Sequence, residues 1–336
     1  MAIMTFNGEK LPNPSLPRDV VVLVFHGFLL LDASGPVQVF ATANEEVKAR
    51  GGRPPYRISV VSSQAGLVVS SSGVAISAAA LPRWRHAPHT TLLLAGGPGI
   101  EAACRDARVL RWLAAGAARV QRCCSVCTGA FLLAQAGLLN GRRAVTHWKD
   151  VAALQRAFPH VRVQDDAIFV RDGSIYTSAG VTAGIDLCLH LLEQDLGREV
   201  SVQVARRLVV YLRRPGGQRQ FSSELLAQSA VPGGTAQRLI AWLNPRLRQD
   251  LGVRDMADAL STSGRTLHRH ILQETRATPA QLLMQLRLEA ACRLLQEPRA
   301  SIKRAAERSG FGSEYNLRRA FSRHLGVTPS EYRERF

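Results

Sequence analysis

Long apolar runs are scarce in this 336-residue chain. The longest near the start, Val20–Leu31, is interrupted by His26 and Gly27 and is too short to span a bilayer, so no membrane partner is expected. Residues 1–19 are polar and Pro-rich without an apolar h-region, so no secretion signal is expected either, and the chain reads as cytoplasmic. Cysteines number six but lack framework spacing: Cys123, Cys124 and Cys127 cluster, while Cys104, Cys188 and Cys292 are scattered. That argues against a disulfide scaffold and suits reduced thiols. Cys124 and Cys127 stand as C-x-x-C, yet a second pair at zinc spacing is missing, so neither a metal nor another cofactor is expected. Acidic residues are also in short supply, 26 against 43 Lys and Arg, which leaves a net charge of +17. A balance of that sign favours a polyanionic partner, because the summed field attracts phosphate. The excess is spread along the chain, as an arginine-favouring composition alone would spread it, so charge does not locate a binding surface.

What is present divides near Arg213. After a tail over residues 1–18, strand and helix signals alternate across 19–213. Val20–Phe25 and Thr91–Ala95 are short apolar runs suited to buried parallel strands, and Tyr56–Val61 and Arg119–Ser125 read as further strands. A hairpin is expected over Leu67–Ile76, and helices after Ser34-Gly35-Pro36, over 100–115 and over 181–196. The alternation predicts a doubly wound α/β sheet. Residues 214–235, basic and turn-rich with Gly233-Gly234, read as a linker. Beyond it only helical patterns remain, over 236–250, 253–260, 264–274, 279–296, 300–308, 313–324 and 329–335.

The helical part, 236–336, repeats itself. Leu267 and Leu317 are 317 − 267 = 50 apart, and the same offset pairs Arg269 with Arg319, Ile271 with Phe321, and Thr278-Pro279 with Thr328-Pro329. Each copy, at about 253–274 and 302–324, reads as helix, tight turn, helix. The turns are Leu260-Ser261-Thr262-Ser263 and Ser309-Gly310-Phe311-Gly312. Leu267 with Ile271, and Leu317 with Phe321, form i, i+4 stripes for a core. The opposite faces offer Ser263, Arg265, Thr266, His268 and Arg269 in one unit and Ser313, Glu314, Asn316, Arg318 and Arg319 in the other. Arg suits guanine edges, Asn adenine, and Glu the cytosine amino group. Two amphipathic hairpins with merely solvated faces are the alternative; the repeat and the turn chemistry weigh against it. The stretch "SIKRAAERSGFGSEYNLRRAFSRHLGVTPSEYR" resembles the AraC/XylS family signature, and "MADALSTSGRTLHRHILQETRATPAQLLMQLRLEAACRLL" resembles its upstream half. Leu317 stands where that family more often has an aromatic. The resemblance implies two recognition helices in successive major-groove segments, with Arg265, His268, Arg269, Glu314, Asn316 and Arg319 facing bases.

In the first part, "SVCTGAFLLAQAGLLNGRRAVTHW" (125–148) has the form of a nucleophile elbow, a strand, a strained turn at Cys127 and a helix. A thiol at a helix N-terminus is expected to have a lowered pKa. Gly96 and Gly97 end a neighbouring strand and are candidates to offer amides to an anion. With "TSAGVTAGIDLCLHLLEQDLG" and "RRPGGQRQF", the region resembles the PfpI-like, class I glutamine amidotransferase-like domain, in the form fused to an AraC-type module in GlxA-type regulators. Enzymes of that superfamily often follow the elbow cysteine with histidine; here Thr128 stands there. Asp32, Cys127 and Thr128 resemble the arrangement in isonitrile hydratases, which keeps a cysteine-dependent hydratase or hydrolase open. His147 is a further candidate, or a hydrogen-bonded structural histidine.

These features lead to the expectation of a DNA-binding transcriptional regulator, an activator by family analogy. A small nitrogenous effector would bind near Asp32, Gly96, Gly97, Cys127, Thr128 and His147, at the carboxyl ends of the strands. Double-stranded promoter DNA, RNA polymerase and a second copy of the chain are the expected partners. Thiol redox sensing through Cys127 is the third reading.

Overall fold

The computed structural model describes residues 17–84, 87–165, 167–210, 212, 233–275, 277–297, 300–325 and 328–335. They fall into two compact units on either side of Arg214–Pro215. The expected tail and linker, and the "RRPGGQRQF" stretch, lie largely outside the described residues.

The first unit carries strands β1 (Arg18–Leu23), β2 (Tyr56–Ser62), β3 (Gly66–Val69), β4 (Ala75–Ala80), β5 (Ala87–Leu94), β6 (Val120–Val126), β7 (Arg143–Ala144), β8 (Arg162–Val163), β9 (Phe169–Asp172) and β10 (Ile175–Ser178). Its helices are α1 (Leu30–Ala49), α2 (Ile100–Arg105), α3 (Ala107–Gly116), α4 (Gly129–Gln135), α5 (Val151–Ala157), α6 (Ala183–Leu196) and α7 (Arg198–Arg207). Eight strands form one sheet in the order β3-β4-β2-β1-β5-β6-β10-β9. From β4 to β10 the neighbours run parallel; β3 and β9 are antiparallel edges. Val22 sits opposite Val60 on one side and Leu93 on the other, and Leu93 opposite Cys124. Being covered on both faces, β1 and β5 read as unbroken apolar runs: Val20, Val22, Leu23, Leu92, Leu93 and Leu94 are fully buried. The central strands β2-β1-β5-β6-β10 give the order 2-1-3-4-5 of a flavodoxin-like sheet, whose switch point lies between β1 and β5.

Three elements of the first unit differ from the sequence reading. Helix α1 starts at Leu30, not after Ser34, and contains Pro36. This proline cannot donate to the Asp32 carbonyl four residues back, so the first turns of α1 are held by packing, with Ala33, Gly35 and Pro36 buried. The helix expected over 100–115 is two: Asp106 breaks it and caps α3, its Oδ1 accepting from Arg108 N at 2.8 Å and Val109 N at 3.3 Å. Helix α7 was not anticipated. Gly197 at φ +85 ends α6 and lets the chain turn into it.

The second unit is helical where described: α8 (Thr235–Leu243), α9 (Val253–Ala259), α10 (Gly264–Thr275), α11 (Pro279–Gln296), α12 (Ile302–Arg308), α13 (Glu314–Leu325) and α14 (Pro329–Arg335). It has two cores. Leu239, Leu243, Met256, Leu267 and Ile271 gather on Leu282, Leu283 and Leu286 of α11. Ala305, Ala306, Phe311, Leu317, Phe321 and Tyr332 gather on Leu288, Ala291, Cys292 and Leu295 of the same helix. The repeat persists in detail. Thr278 and Thr328 both cap, accepting from Gln281 N and Glu331 N at 3.2 Å each, while Gln281 and Glu331 reach back to the capping residues' amides. The first helices of the units correspond at 302 − 253 = 49, the second at 314 − 264 = 50, so the second turn is one residue longer. It spends two left-handed glycines, Gly310 and Gly312, where the first turn has Ser261 at φ +52.

Candidate functional site

Four parallel strands deliver their carboxyl ends to one place in the first unit. The chain leaving β1 reaches Asp32 in the first turn of α1. The chain leaving β5 reaches Gly96 and Gly97. Strand β6 ends at the elbow, where Cys127 takes φ +55, a strained value for a residue with a Cβ. Strand β10 is followed by Gly180 and by Val181 at φ +47. Cys127 N donates to Ser178 O at 3.1 Å and the Thr146 hydroxyl donates to Cys127 O at 3.0 Å, so the elbow is clamped on both sides.

Asp32 is fully buried. Its Oδ2 accepts from Gly96 N at 3.0 Å, and its Oδ1 is buried without a hydrogen-bond partner among the described residues. Burial pushes its carboxyl up to about 7, against the backbone N–H groups of Gly96 and Val181, which favour the charge. The Thr128 hydroxyl accepts from Gly97 N at 2.8 Å. Both glycine amides, expected to be offered to an anion, are therefore engaged by this chain's own side chains. A Cβ at Gly96 would lie 2.6 Å from Thr128 N and 2.9 Å from Asp32 Oδ2, so only glycine permits this approach.

The Cys127 thiol also departs from expectation. Burial, and then the Asp32 carboxylate, push it up to about 12, overriding the amides of Thr128 and Val181. A neutral thiol thus faces a carboxyl that exchanges its proton near neutrality. His147 closes the site from the β7 side: a Cβ at Gly180 would lie 3.0 Å from Cys127 Sγ and 3.2 Å from His147 Cδ2. The His147 Nδ1 accepts from Lys149 N at 3.4 Å, with Asp150 Oδ2 at 3.6 Å. Its pKa is lowered, by burial first, with Asp150 opposing. Sequence reasoning missed Val181, whose amide favours the charged forms of both Asp32 and Cys127, and Thr146. A β-branched residue at positive φ has no sequence signature; Gly180 beside it is the only hint. Among the described residues no group of three or more His, Cys, Asp or Glu is placed to hold a metal.

In the second unit Leu267 and Ile271 point α10 into its core, and Leu317, Ala320 and Phe321 do the same for α13. Arg265, His268 and Arg269 are exposed on α10, and Glu314, Asn316, Arg318 and Arg319 on α13; Thr266 is half-buried. Ser263 and Ser313 are exposed but already cap, each accepting at 3.2 Å from the amide three residues on, Thr266 N and Asn316 N. Asn316 Nδ2 donates to Phe311 O at 3.1 Å and so holds the longer turn. Tyr315, 73% exposed among these residues, escaped notice because it has no counterpart in the repeat: the matching position is Arg265.

A sheet-borne acid-and-thiol site on one unit and two helix-turn-helix units on the other describe a regulator rather than a stand-alone enzyme. Sequence comparison agrees. The DJ-1/PfpI family profile matches residues 18–194 and a helix-turn-helix domain profile matches residues 256–335. The HTH-type transcriptional regulator GlxA of Rhizobium meliloti is 31% identical over 92% of this chain and 95% of its own. Isonitrile hydratase of Pseudomonas putida is 32% identical over 54% of this chain and 76% of its own. The crystal structure of a THiJ/PfpI family protein from Pseudomonas syringae shares 29% identity and a TM-score of 0.53, over 64% of this chain and 84% of that one. The chain belongs to the DJ-1/PfpI family and, within it, to the HTH-type transcriptional regulators that join such a domain to an AraC-type DNA-binding region. No described helix is long and apolar enough to cross a membrane.

Proposed function

We propose that this regulator responds to a small nitrogenous metabolite held at Asp32, Gly96, Gly97, Cys127, Thr128 and His147. The observation that carries the reading is Asp32 Oδ1, buried without a partner among the described residues. An ammonium or amide N–H would supply the missing donor and favour the ionised carboxylate. On this reading the chain works in the cytoplasm as a homodimer, presents its helix-turn-helix units to adjacent half-sites and activates transcription through RNA polymerase. Ligand binding acts by favouring one of two states, which requires differential affinity and not turnover. Thermal shift of the full chain against amino acids and amines that carry an N–H tests the effector: a stabilising compound should lose its effect in Asp32→Asn. If none stabilises the wild type, or if Asp32→Asn responds as the wild type does, the assignment is wrong.

Base contacts are assigned to Arg265, His268, Arg269, Glu314, Asn316 and Arg319, with Ser263, Thr266, Ser313 and Arg318 as further DNA contacts. Arg269→Ala and Arg319→Ala in the full chain should each reduce the preference for specific over random DNA by about 1–3 kcal/mol. Equal losses on random DNA would make them phosphate contacts instead.

Catalysis at Cys127 is the second reading, supported by the similarity to isonitrile hydratase and by the resemblance of Asp32, Cys127 and Thr128 to the arrangement in such enzymes. The high thiol pKa weighs against a thiolate nucleophile. If Cys127→Ala keeps effector-dependent DNA binding intact, the thiol has no part in regulation.

A further inference from the structure

The two helix-turn-helix units share α11, but they also meet away from it. Arg287, near the middle of α11, donates from Nε to Leu247 O at 3.0 Å and from Nη2 to Gln249 O at 2.7 Å. Both carbonyls belong to the segment joining α8 to α9, and Leu247 lies in the first core. On the other side of the same carbonyl stands Gly310, in the turn between α12 and α13. A Cβ built there would be 1.8 Å from Leu247 O and 2.9 Å from Arg287 Nε, and the residue's φ is +85. The turn of the second unit therefore rests directly on the backbone of the first, with the guanidinium fork wedged beside the contact.

We propose that Arg287, Gly310 and the Leu247 carbonyl form a strut that fixes the offset between the recognition helices α10 and α13, making Arg287 a positioning residue for DNA recognition. This rests on the reading of α10 and α13 as the base-facing helices. The mechanical reason is simple. A helix of 18 residues is about 27 Å long and joins two bodies through one element, which leaves bending and swivelling soft. A second contact off the helix axis removes that freedom. Only glycine allows the carbonyl to come so close, and only a planar fork reaches both carbonyls at once. The module then meets DNA with its two reading heads already at fixed separation, and avoids the ordering cost a hinged pair would meet on binding.

Spacing is the readout that a merely stabilising residue would not move. The probe is a duplex selected by the full wild-type chain from a randomised pool, compared with versions carrying one base pair inserted between its two contacted segments. Each insertion turns one segment by about 35° relative to the other. The wild type should discriminate sharply against the insertion. Arg287→Ala should bind the original probe about ten-fold more weakly while losing most of that discrimination, because a hinged module follows either spacing. Gly310→Ala, which wedges the contact open without altering charge, should reproduce the effect, and Arg287→Lys should fall between. If Arg287→Ala does not fold, by loss of its helical circular dichroism, Gly310→Ala and Arg287→Lys carry the test. An unchanged discrimination ratio in the folded variants overturns the strut, as does a uniform loss on every probe. Arg269→Ala and Arg319→Ala, run alongside, separate the two failures: if they leave specificity untouched, the recognition helices themselves are misassigned and the strut falls with them.

Discussion

The sheet of the first unit buries charge at both ends, and the two ends treat it in opposite ways. At the amino ends of the strands, the side chains of Arg122 of β6 and Asp195 of α6 are each 3% exposed and share a hydrogen bond of 2.6 Å from Nη2 to Oδ1. Arg122 Nε also donates to the Thr91 hydroxyl at 3.0 Å, the Tyr56 hydroxyl donates to Asp195 Oδ2 at 3.0 Å, and Arg18 lies 3.6 Å away. At the carboxyl ends Asp32 is equally buried but, among the described residues, faces no cation; its Oδ2 accepts from one backbone amide, a neutral thiol lies nearby, and its Oδ1 has no hydrogen-bond partner. A buried charge supplied with partners holds α6 onto the sheet. A buried carboxyl left short of partners is, on the proposed reading, where the effector binds, and it sits at the switch point where folds of this kind place ligands.

The comparison is broken most severely at the paired end. Asp195→Ala leaves the Arg122 guanidinium buried without its counter-charge and should lower the stability of the sheet unit by about 3–5 kcal/mol, measured by denaturant unfolding. The next effect should run the other way. Since the folded-state pKa of Asp32, about 7, lies above its ordinary 3.8, the folded chain holds a proton that the unfolded chain has released. That contribution is complete below pH 3.8 and lost as pH rises toward about 7. Asp32→Asn, neutral throughout, should therefore gain on the wild type across that window, by up to about 4 kcal/mol at the top of it. Unfolding midpoints of the two proteins compared from pH 4 to pH 8 check the sign. A wild type that gains on the variant as pH rises would mean that Asp32 has a cationic partner after all.

This difference between the two ends explains what could be read from the sequence. The fold was legible because β1 and β5 are buried on both faces and must be apolar throughout, and because the elbow and the Thr-Pro caps each have a local chemistry. The corresponding stripes at Leu267 and Ile271, and at Leu317 and Phe321, were legible for the same reason. Ser34 misled because its capping signature is local, whereas the start of α1 is set by where Leu29 N meets Gly96 O, at 2.8 Å. The lowered thiol pKa expected at Cys127 was a statement about one helix end; the outcome depends on burial and on Asp32, ninety-five residues earlier (127 − 32 = 95). The Arg122–Asp195 pair left no trace at all, since its members are 195 − 122 = 73 residues apart and each alone looks like a solvated charge. The Arg287 strut was hidden likewise, because it acts through backbone carbonyls, which carry no residue identity.

Smaller substitutions sharpen the same contrast by removing one hydroxyl from each end. Thr128→Val takes away the acceptor of the buried Gly97 amide and leaves that donor with nothing in its place, so a loss of about 1–3 kcal/mol is expected. Tyr56→Phe removes a donor from Asp195, but the carboxylate keeps Arg122 and Arg18, and the phenyl ring keeps its edge-to-face contact with Phe40 at 4.7 Å. Burial, and then the neighbouring carboxylate, hold the Tyr56 hydroxyl well above its ordinary pKa, so it serves only as a neutral donor and no charge is stranded when it goes. Its loss should cost about 1 kcal/mol. Denaturant midpoints of the two variants at one pH test the ranking. Equal losses would mean that the Tyr56 end has no reserve of partners, and the distinction between a satisfied and an unsatisfied end of the sheet would have to be given up.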